Sequence, residues 1–311
     1  MKRNDAKRIY DMPTLIQVYP YLMKRRCDSM VFQSMVMDLT AVVDFVKENK
    51  APDGHTYRIF EVMISALLRT IALRPELNRF IANKCYWQRD ELSINFIVKE
   101  DYTDEAPEHS MPMYFRPDMT LDEMATIINN TITEERKKSN EGFTDKAISF
   151  FFSFPRWFIT SVIGLAGFLD KHGKAPKALR DADGLHTSVY ISNLGSIGLG
   201  GSSPHHHLYE WGTTSLFVTL GMLHRKKQSN GEFRDFMEVG FTVDERITDG
   251  WYFTKSVKLF QNFLNHPESL LERPTKLPSP VLSKKQFKAQ KKDKKREAKK
   301  ASVQKAPSNV Q

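Results

Sequence analysis

Two apolar segments, Leu216 to Met222 and Phe233 to Val243, stand on either side of Asn230-Gly231. Asn-Gly suits positive φ in a tight turn, so the pair predicts an antiparallel hairpin. Hairpins constrain more than single elements do, because their strands must lie side by side in one sheet. Two further strands are predicted, Val31 to Leu39 and the alternating Ser93-Ile94-Asn95-Phe96-Ile97-Val98. Helices fall between them. Ile59, Val62, Met63, Ala66, Leu67 and Ile71 repeat at helical spacing, and Pro75 ends that run. Thr120 and Glu123 have capping-box spacing before Leu121, Met124, Ala125, Ile128 and Ile132. A last helix is expected from Gly250 to about Leu264, ended by Pro267. Strands and helices mixed in this order predict an α+β sandwich, a mixed β-sheet with packed helices in a single domain.

Charge separates the chain into two parts. The net charge is +9 over 311 residues. From Val281 onward eleven Lys and Arg face only Asp293 and Glu297, so the tail carries all of it and the first 280 residues are balanced. The expected organisation is a domain over residues 1–275 and, over 276–311, a linker with Pro278 and Pro280 leading into a disordered basic tail. Weak electrostatic contact of that tail with RNA or anionic lipid is the functional reading, and solvated disorder the plain one. Two cysteines exclude a disulfide scaffold, and the N-terminus lacks the apolar stretch of a secretory signal, so the cytoplasm is the expected compartment.

Ala147 to Leu169 is the most apolar segment, with Phe150, Phe151, Phe152, Phe154, Trp157 and Phe158. Pro155 and Arg156 leave an uninterrupted run of 13 residues, short of the ~20 that span a bilayer. A buried or pocket-lining helix is expected, with peripheral membrane contact as the alternative.

Three segments carry a family resemblance. They are Thr56 to Phe80, which contains Arg74-Pro75-Glu76-Leu77-Asn78; Tyr190-Ile191-Ser192-Asn193-Leu194-Gly195-Ser196-Ile197-Gly198; and Asp244-Glu245-Arg246-Ile247-Thr248-Asp249-Gly250 before a helix. In this order they resemble the catalytic domain of the 2-oxoacid dehydrogenase dihydrolipoyl acyltransferases, whose fold is that of chloramphenicol acetyltransferase. The resemblance covers roughly Tyr10 to Pro274. It implies a homotrimer with sites between subunits, coenzyme A or acyl-CoA as co-substrate, and no metal. It places Ser192 as the hydroxyl that stabilises the oxyanion, Asp249 as the residue holding loop geometry, and Gly250 as the loop glycine. The family's catalytic histidine is replaced by Glu245.

That replacement changes the chemistry. A thiol near pKa 8.5 gives its proton to a carboxylate near 4.3 with a driving force poorer by roughly 2 units, about 3 kcal/mol, than to an imidazole near 6.5. A carboxylate also repels the developing oxyanion. Glu245 therefore reads either as a base tuned by burial or as a residue that pairs with a cation and braces the loop. His205-His206-His207 offers another base; surface or interface histidines are the expectation, a pocket role the alternative. His186 is expected to be packed or exposed. Ser192 in isolation reads as a turn-bonding serine, and it is the resemblance that brings in the catalytic reading. Thr144-Asp145-Lys146-Ala147 resembles a lipoyl-lysine turn, but the sequence around it is not that of a small β domain, so no covalent lipoyl group is expected. Two expectations remain: a CoA-dependent acyltransferase of weak or altered activity, or a non-catalytic trimeric binding or scaffold protein on the same fold.

Overall fold

The computed structural model describes residues 2–99, 103, 108–137, 150–198 and 205–304. In chain order these form β1 (Ala6–Arg8), α1 (Tyr19–Leu22), β2 (Met30–Asp38), α2 (Thr40–Glu48), α3 (Ile59–Leu73), β3 (Arg79–Ala82), β4 (Cys85–Arg89), β5 (Leu92–Lys99), β6 (Glu108–Ser110), β7 (Met113–Phe115), α4 (Leu121–Lys137), α5 (Arg156–Lys171), α6 (Lys177–Ala182), β8 (Val189–Asn193), β9 (Leu216–Lys227), β10 (Phe233–Asp244), α7 (Gly250–Asn265) and α8 (Lys284–Gln304). The Thr144-Asp145-Lys146-Ala147 turn lies outside the described residues.

The main sheet runs β2-β10-β9-β8-β5-β6, with β7 also on β5. The pair β9–β10 is antiparallel, as expected, with Val243 opposite Leu216 and Phe233 opposite Lys227. The turn is looser than a two-residue one. Gln228 N donates to Glu232 O at 2.7 Å and Gly231 N to Gln228 O at 3.0 Å, and within Asn230-Gly231 only Gly231 takes positive φ, +90°. A three-residue loop of this kind needs one left-handed residue, and glycine supplies it. Strand β8 is parallel to both β5 and β9, so the sheet is mixed. A second sheet, β1-β4-β3, buries Phe80 and Trp87.

Helices α2, α3, α4 and α7 cover one face of the main sheet. Leu216, Val218 and Leu220 of β9 join that core with Val189 and Ile191 of β8. Helix α3 is buried at every position from Glu61 to Ile71, because it is wedged between the sheet, α4 and α7. Its amphipathic pattern is therefore weak where its burial is complete. The capping box predicted for α4 is present: Thr120 N donates to Glu123 Oε2 at 2.9 Å and Glu123 N to Thr120 Oγ1 at 3.4 Å.

Two expectations need correction. The described part of the aromatic segment is not buried. Trp157 is 71% exposed, Leu165 59% and Phe168 57%, and Asp170 is the one buried residue of α5. Hydrophobicity does not say what covers a helix, and among the described residues this one is anchored by Asp170 at its C-terminal foot. No helix among the described residues is long and apolar enough to cross a membrane. The basic tail, expected as disordered, runs as helix α8, whose Phe287 stacks on Tyr10 at 6.1 Å.

The foot of α5 is held by buried charges. Arg3 Nη2 donates to Asp170 Oδ1 at 2.9 Å and its Nη1 to Asp170 O at 2.5 Å, while Nε donates to Asp5 Oδ1 at 2.9 Å. Arg180 reaches Asp5 at 2.8 Å. His186 is packed between Asp170, 3.3 Å away, and Asp183, 3.1 Å away, and the Trp211 indole donates to Asp183. Burial works against the charge on each group, but the partners outweigh it. Arg3, with Arg180 and Arg89, brings Asp5 down to about 2, and Asp170 and Asp183 hold His186 above its ordinary value.

The sign of the pH dependence follows. Carboxylates held low stabilise the fold above their ordinary value near 3.8 and lose that contribution as pH falls towards about 2. A histidine held high stabilises below its ordinary 6.5 and loses that contribution as pH rises through its folded value. Denaturant unfolding across pH is therefore expected to find the cluster strongest between about pH 4 and 6.5. Asp170→Asn is expected to lower stability at pH 6 by about 3 kcal/mol and to flatten the fall on the alkaline side.

Candidate functional site

A cavity of about 740 Å³ opens where the C-terminal ends of the parallel strands β5 and β8 leave the sheet. Carboxyl ends of parallel strands are where open sheets commonly place ligands, and this volume suits a small organic molecule. Its walls are mostly apolar. Phe60 of α3 meets Phe96 of β5 edge to face at 5.2 Å, and Ile132 of α4 closes that side. Arg58, at the N-cap of α3 and half-exposed, is the cation among the described lining residues; its guanidinium lies 3.5 Å from Glu61.

Strand register positions Ser192. Tyr190 lies opposite Phe217 and Ser192 opposite Thr219. Side chains alternate along a strand, so Tyr190 and Ser192 share the face turned away from the core that holds Val189 and Ile191. Both line the cavity. The turn after β8 is bonded by other groups: Asn193 Oδ1 accepts from Ser196 N at 3.3 Å, and Ser196 Oγ donates to Asn193 O at 2.7 Å. The turn-bonding role conceivable for Ser192 thus belongs to its neighbours. Gly195 is required sterically, since a Cβ there would stand 2.3 Å from the Gly221 carbonyl oxygen.

An aromatic stack forms the opposite wall. The Tyr190 and Phe217 rings stack at 4.7 Å, and the His206 ring lies on Phe217 at 4.1 Å with planes 8° apart. Tyr209 packs on His206 at 5.4 Å. His205 points elsewhere, with Nε2 3.1 Å from Ser34 Oγ. The expectation of surface histidines is corrected for His206: it lines the cavity. Burial in that wall, with His207 beside it, holds its pKa below the ordinary value.

The segment Asp244 to Gly250 is built around a buried ion pair. Arg246 Nε donates to Asp244 Oδ1 at 2.8 Å and Nη2 to Asp244 Oδ2 at 2.6 Å, both side chains being buried. Ser29 Oγ adds a bond to Asp244 at 2.9 Å, and Arg246 Nη1 donates to Met23 O at 2.8 Å. Asp249 caps α7 by accepting from Tyr252 N at 2.7 Å, and Gly250 begins that helix. Glu245 lies between two inward residues and is exposed, held through its own N–H to Ser29 O at 2.9 Å. The brace of this loop is Asp244 with Arg246, not Glu245 with a cation.

Within one chain Ser192 and Glu245 do not meet. Ser192 is at the C-terminal end of β8, level with Thr219 and Gly240; Glu245 follows β10, which runs the other way. Five residues along β10 and two strands across place them on the order of 15 Å or more apart. Glu245 and Asp249 are not on the cavity lining. The residues that sequence reasoning passed over, Arg58, Phe60 and Tyr209, carry no local pattern and are gathered by the fold alone.

No protein-family model matches the chain, and no curated protein does. Solved structures do. A probable dihydrolipoamide acetyltransferase from Listeria monocytogenes is 14% identical, over 88% of this chain and 99% of that one, with a TM-score of 0.51. The dihydrolipoamide acetyltransferase of Azotobacter vinelandii is 16% identical over 85% and 94%, with 0.54. A chloramphenicol acetyltransferase is 13% identical over 83% and 99%, with 0.55. The fold is therefore the one the three sequence segments implied, that of chloramphenicol acetyltransferase.

Two substitutions test this geometry by stability. Arg246→Ala leaves Asp244 charged and buried without its partner, and is expected to cost about 3–5 kcal/mol in denaturant unfolding. Arg246→Lys is expected to recover little, since one ammonium cannot replace the two-pronged contact. Gly195→Ala is expected to raise exposure of the β8 turn in hydrogen exchange, because backbone rather than a flexible side chain blocks the methyl group.

Proposed function

We propose that this chain binds an acyl thioester, carried by coenzyme A, and transfers the acyl group to a hydroxyl or thiol acceptor. The observation that carries this reading is Ser192: a hydroxyl facing a cavity of about 740 Å³, on a fold shared with acetyltransferases. A serine, a histidine and an asparagine have been investigated in the catalytic mechanism of the Azotobacter protein. Here Ser192 supplies the hydroxyl that donates to the tetrahedral oxyanion. The apolar wall of Phe60, Phe96 and Ile132 suits an acyl or pantetheine chain, and Arg58 suits a phosphate.

Residues 1–275 act as the acyltransferase-like domain, assembled as a homotrimer. Two features support assembly. The edge strand β2 exposes Phe32, at 51%, and Val36, at 59%, which a lone chain leaves open to non-specific pairing. Ser192 and Glu245 also face opposite ends of the sheet, so a site using both needs Glu245 of the partner subunit beside Ser192. Asp249 then serves by setting where the Glu245 loop sits. The competing reading is a trimer that holds the ligand without turning it over, favoured by the carboxylate at position 245.

Calorimetry with coenzyme A and thiol release from acetyl-CoA and longer acyl-CoA separate these readings. Transfer predicts that Ser192→Ala lowers turnover by about a hundredfold with coenzyme A affinity retained. Glu245→Gln lowers turnover only if the subunits share the site. Light scattering is expected to give three times the 36.0 kDa chain mass. Binding without turnover selects the ligand-holding trimer, and absence of binding removes both readings.

A further inference from the structure

The cavity already contains, in the same chain as Ser192, a group able to take a proton. His206 Nδ1 is 2.8 Å from the His207 carbonyl oxygen. A carbonyl only accepts, so Nδ1 carries the hydrogen and the neutral ring keeps a lone pair on Nε2. The ring cannot swing freely, being stacked on Phe217 and packed by Tyr209. Phe217 also carries the Tyr190 ring, and Ser192 is two residues further along β8, about 7 Å. The hydroxyl and the imidazole thus border one space.

Among the described residues, the titratable and charged groups around the ring are His207 and Tyr209 beside it and Tyr190 and Arg58 on the cavity wall, and none of the described lining residues is a carboxylate. The Nδ1 bond to the His207 carbonyl favours imidazolium, but burial and the neighbouring His207 ring outweigh it. The ring is therefore neutral at neutral pH, the form a base needs. It also lacks the two drawbacks of a carboxylate as base: an ordinary pKa far below that of a thiol, and a negative charge beside an oxyanion.

We propose that His206 is the general base of this cavity, acting in the place left by the glutamate at position 245. The assignment rests on the acyl-thioester reading and makes it a reaction within one protomer. Nε2 takes the proton of the acceptor's O–H or S–H as that atom bonds to the thioester carbon. The carbonyl π pair moves onto oxygen beside the Ser192 hydroxyl. As the carbonyl re-forms, the C–S bond breaks, the coenzyme thiolate leaves and receives the proton from Nε2, and the acyl acceptor is released.

The test uses the full chain and two variants. His206→Gln removes the ring. His206→Phe keeps an aromatic stack on Phe217 but has no nitrogen, so a loss in both is not a packing effect; thermal unfolding confirms that each is folded. Thiol release from acetyl-CoA and longer acyl-CoA is measured from pH 5 to 8, with coenzyme A affinity by calorimetry. The expected result is a fall of about a hundredfold or more in both variants with affinity retained. The parent's rate rises to a plateau with a midpoint below 6.5, and that limb is absent from the residual rate of the variants. Variants within twofold of the parent, with the limb unmoved, overturn the assignment, as does a parent that binds coenzyme A but releases no thiol. A parent that binds no coenzyme A overturns the acyl-thioester reading itself, and the base falls with it.

Discussion

The Asp244–Arg246 ion pair closes the end of the sheet away from the cavity, and much else is set by it. Two charges out of water are tolerable only when paired and hydrogen-bonded, so the segment after β10 must place both residues inward and bring Ser29 and the Met23 carbonyl to meet them. Glu245, between them, has no choice but to point out. Arg26 extends the brace, donating to the carbonyls of Tyr209, Glu210 and Gly212. The segment carrying His206 and Tyr209 is thereby tied down at Tyr209 itself and just after it. It is Arg26 that holds the chain leading out of the cavity wall.

The loop at position 245 and the cavity wall at position 206 are built by different means. Asp244, Arg246, Asp249 and Gly250 keep architectural work: an ion pair, a cap and a helix start. None of that work needs the intervening side chain, so a carboxylate there leaves the loop intact. The cavity, by contrast, is formed by register. Parallel pairing of β8 with β9 sets Tyr190 over Phe217 and Ser192 one step beyond, and the chain returning through His206 stacks on the same ring.

Much of the fold was legible in the sequence because its signals are local. Periodicity gave α3 and α7, Thr120 and Glu123 gave the start of α4, and the flanking apolar runs gave β9 and β10. Where expectation failed, the missing information was non-local. The aromatic run is as apolar as a core helix, yet α5 is held by buried charges at Asp170 while Trp157 and Phe168 stay exposed. The loop at Gly231 is one residue longer than its dipeptide suggested, because the last bonded pair is Gln228 with Glu232.

By itself the sequence determined a mixed sheet with packed helices, the neutral domain with its basic extension, and the three segments whose order matches the acetyltransferase fold. Local spacing and charge carry the first two, since each depends on residues a few positions apart, and the third is a resemblance of segments to a known family. Only the tertiary structure decided that Ser192 faces a cavity and Glu245 does not, that Asp244 rather than Glu245 pairs with Arg246, and that His206 is the member of its triplet on the cavity lining. Those outcomes depend on which strands run parallel and where their register falls, and side chains far apart in sequence become neighbours only through that pairing.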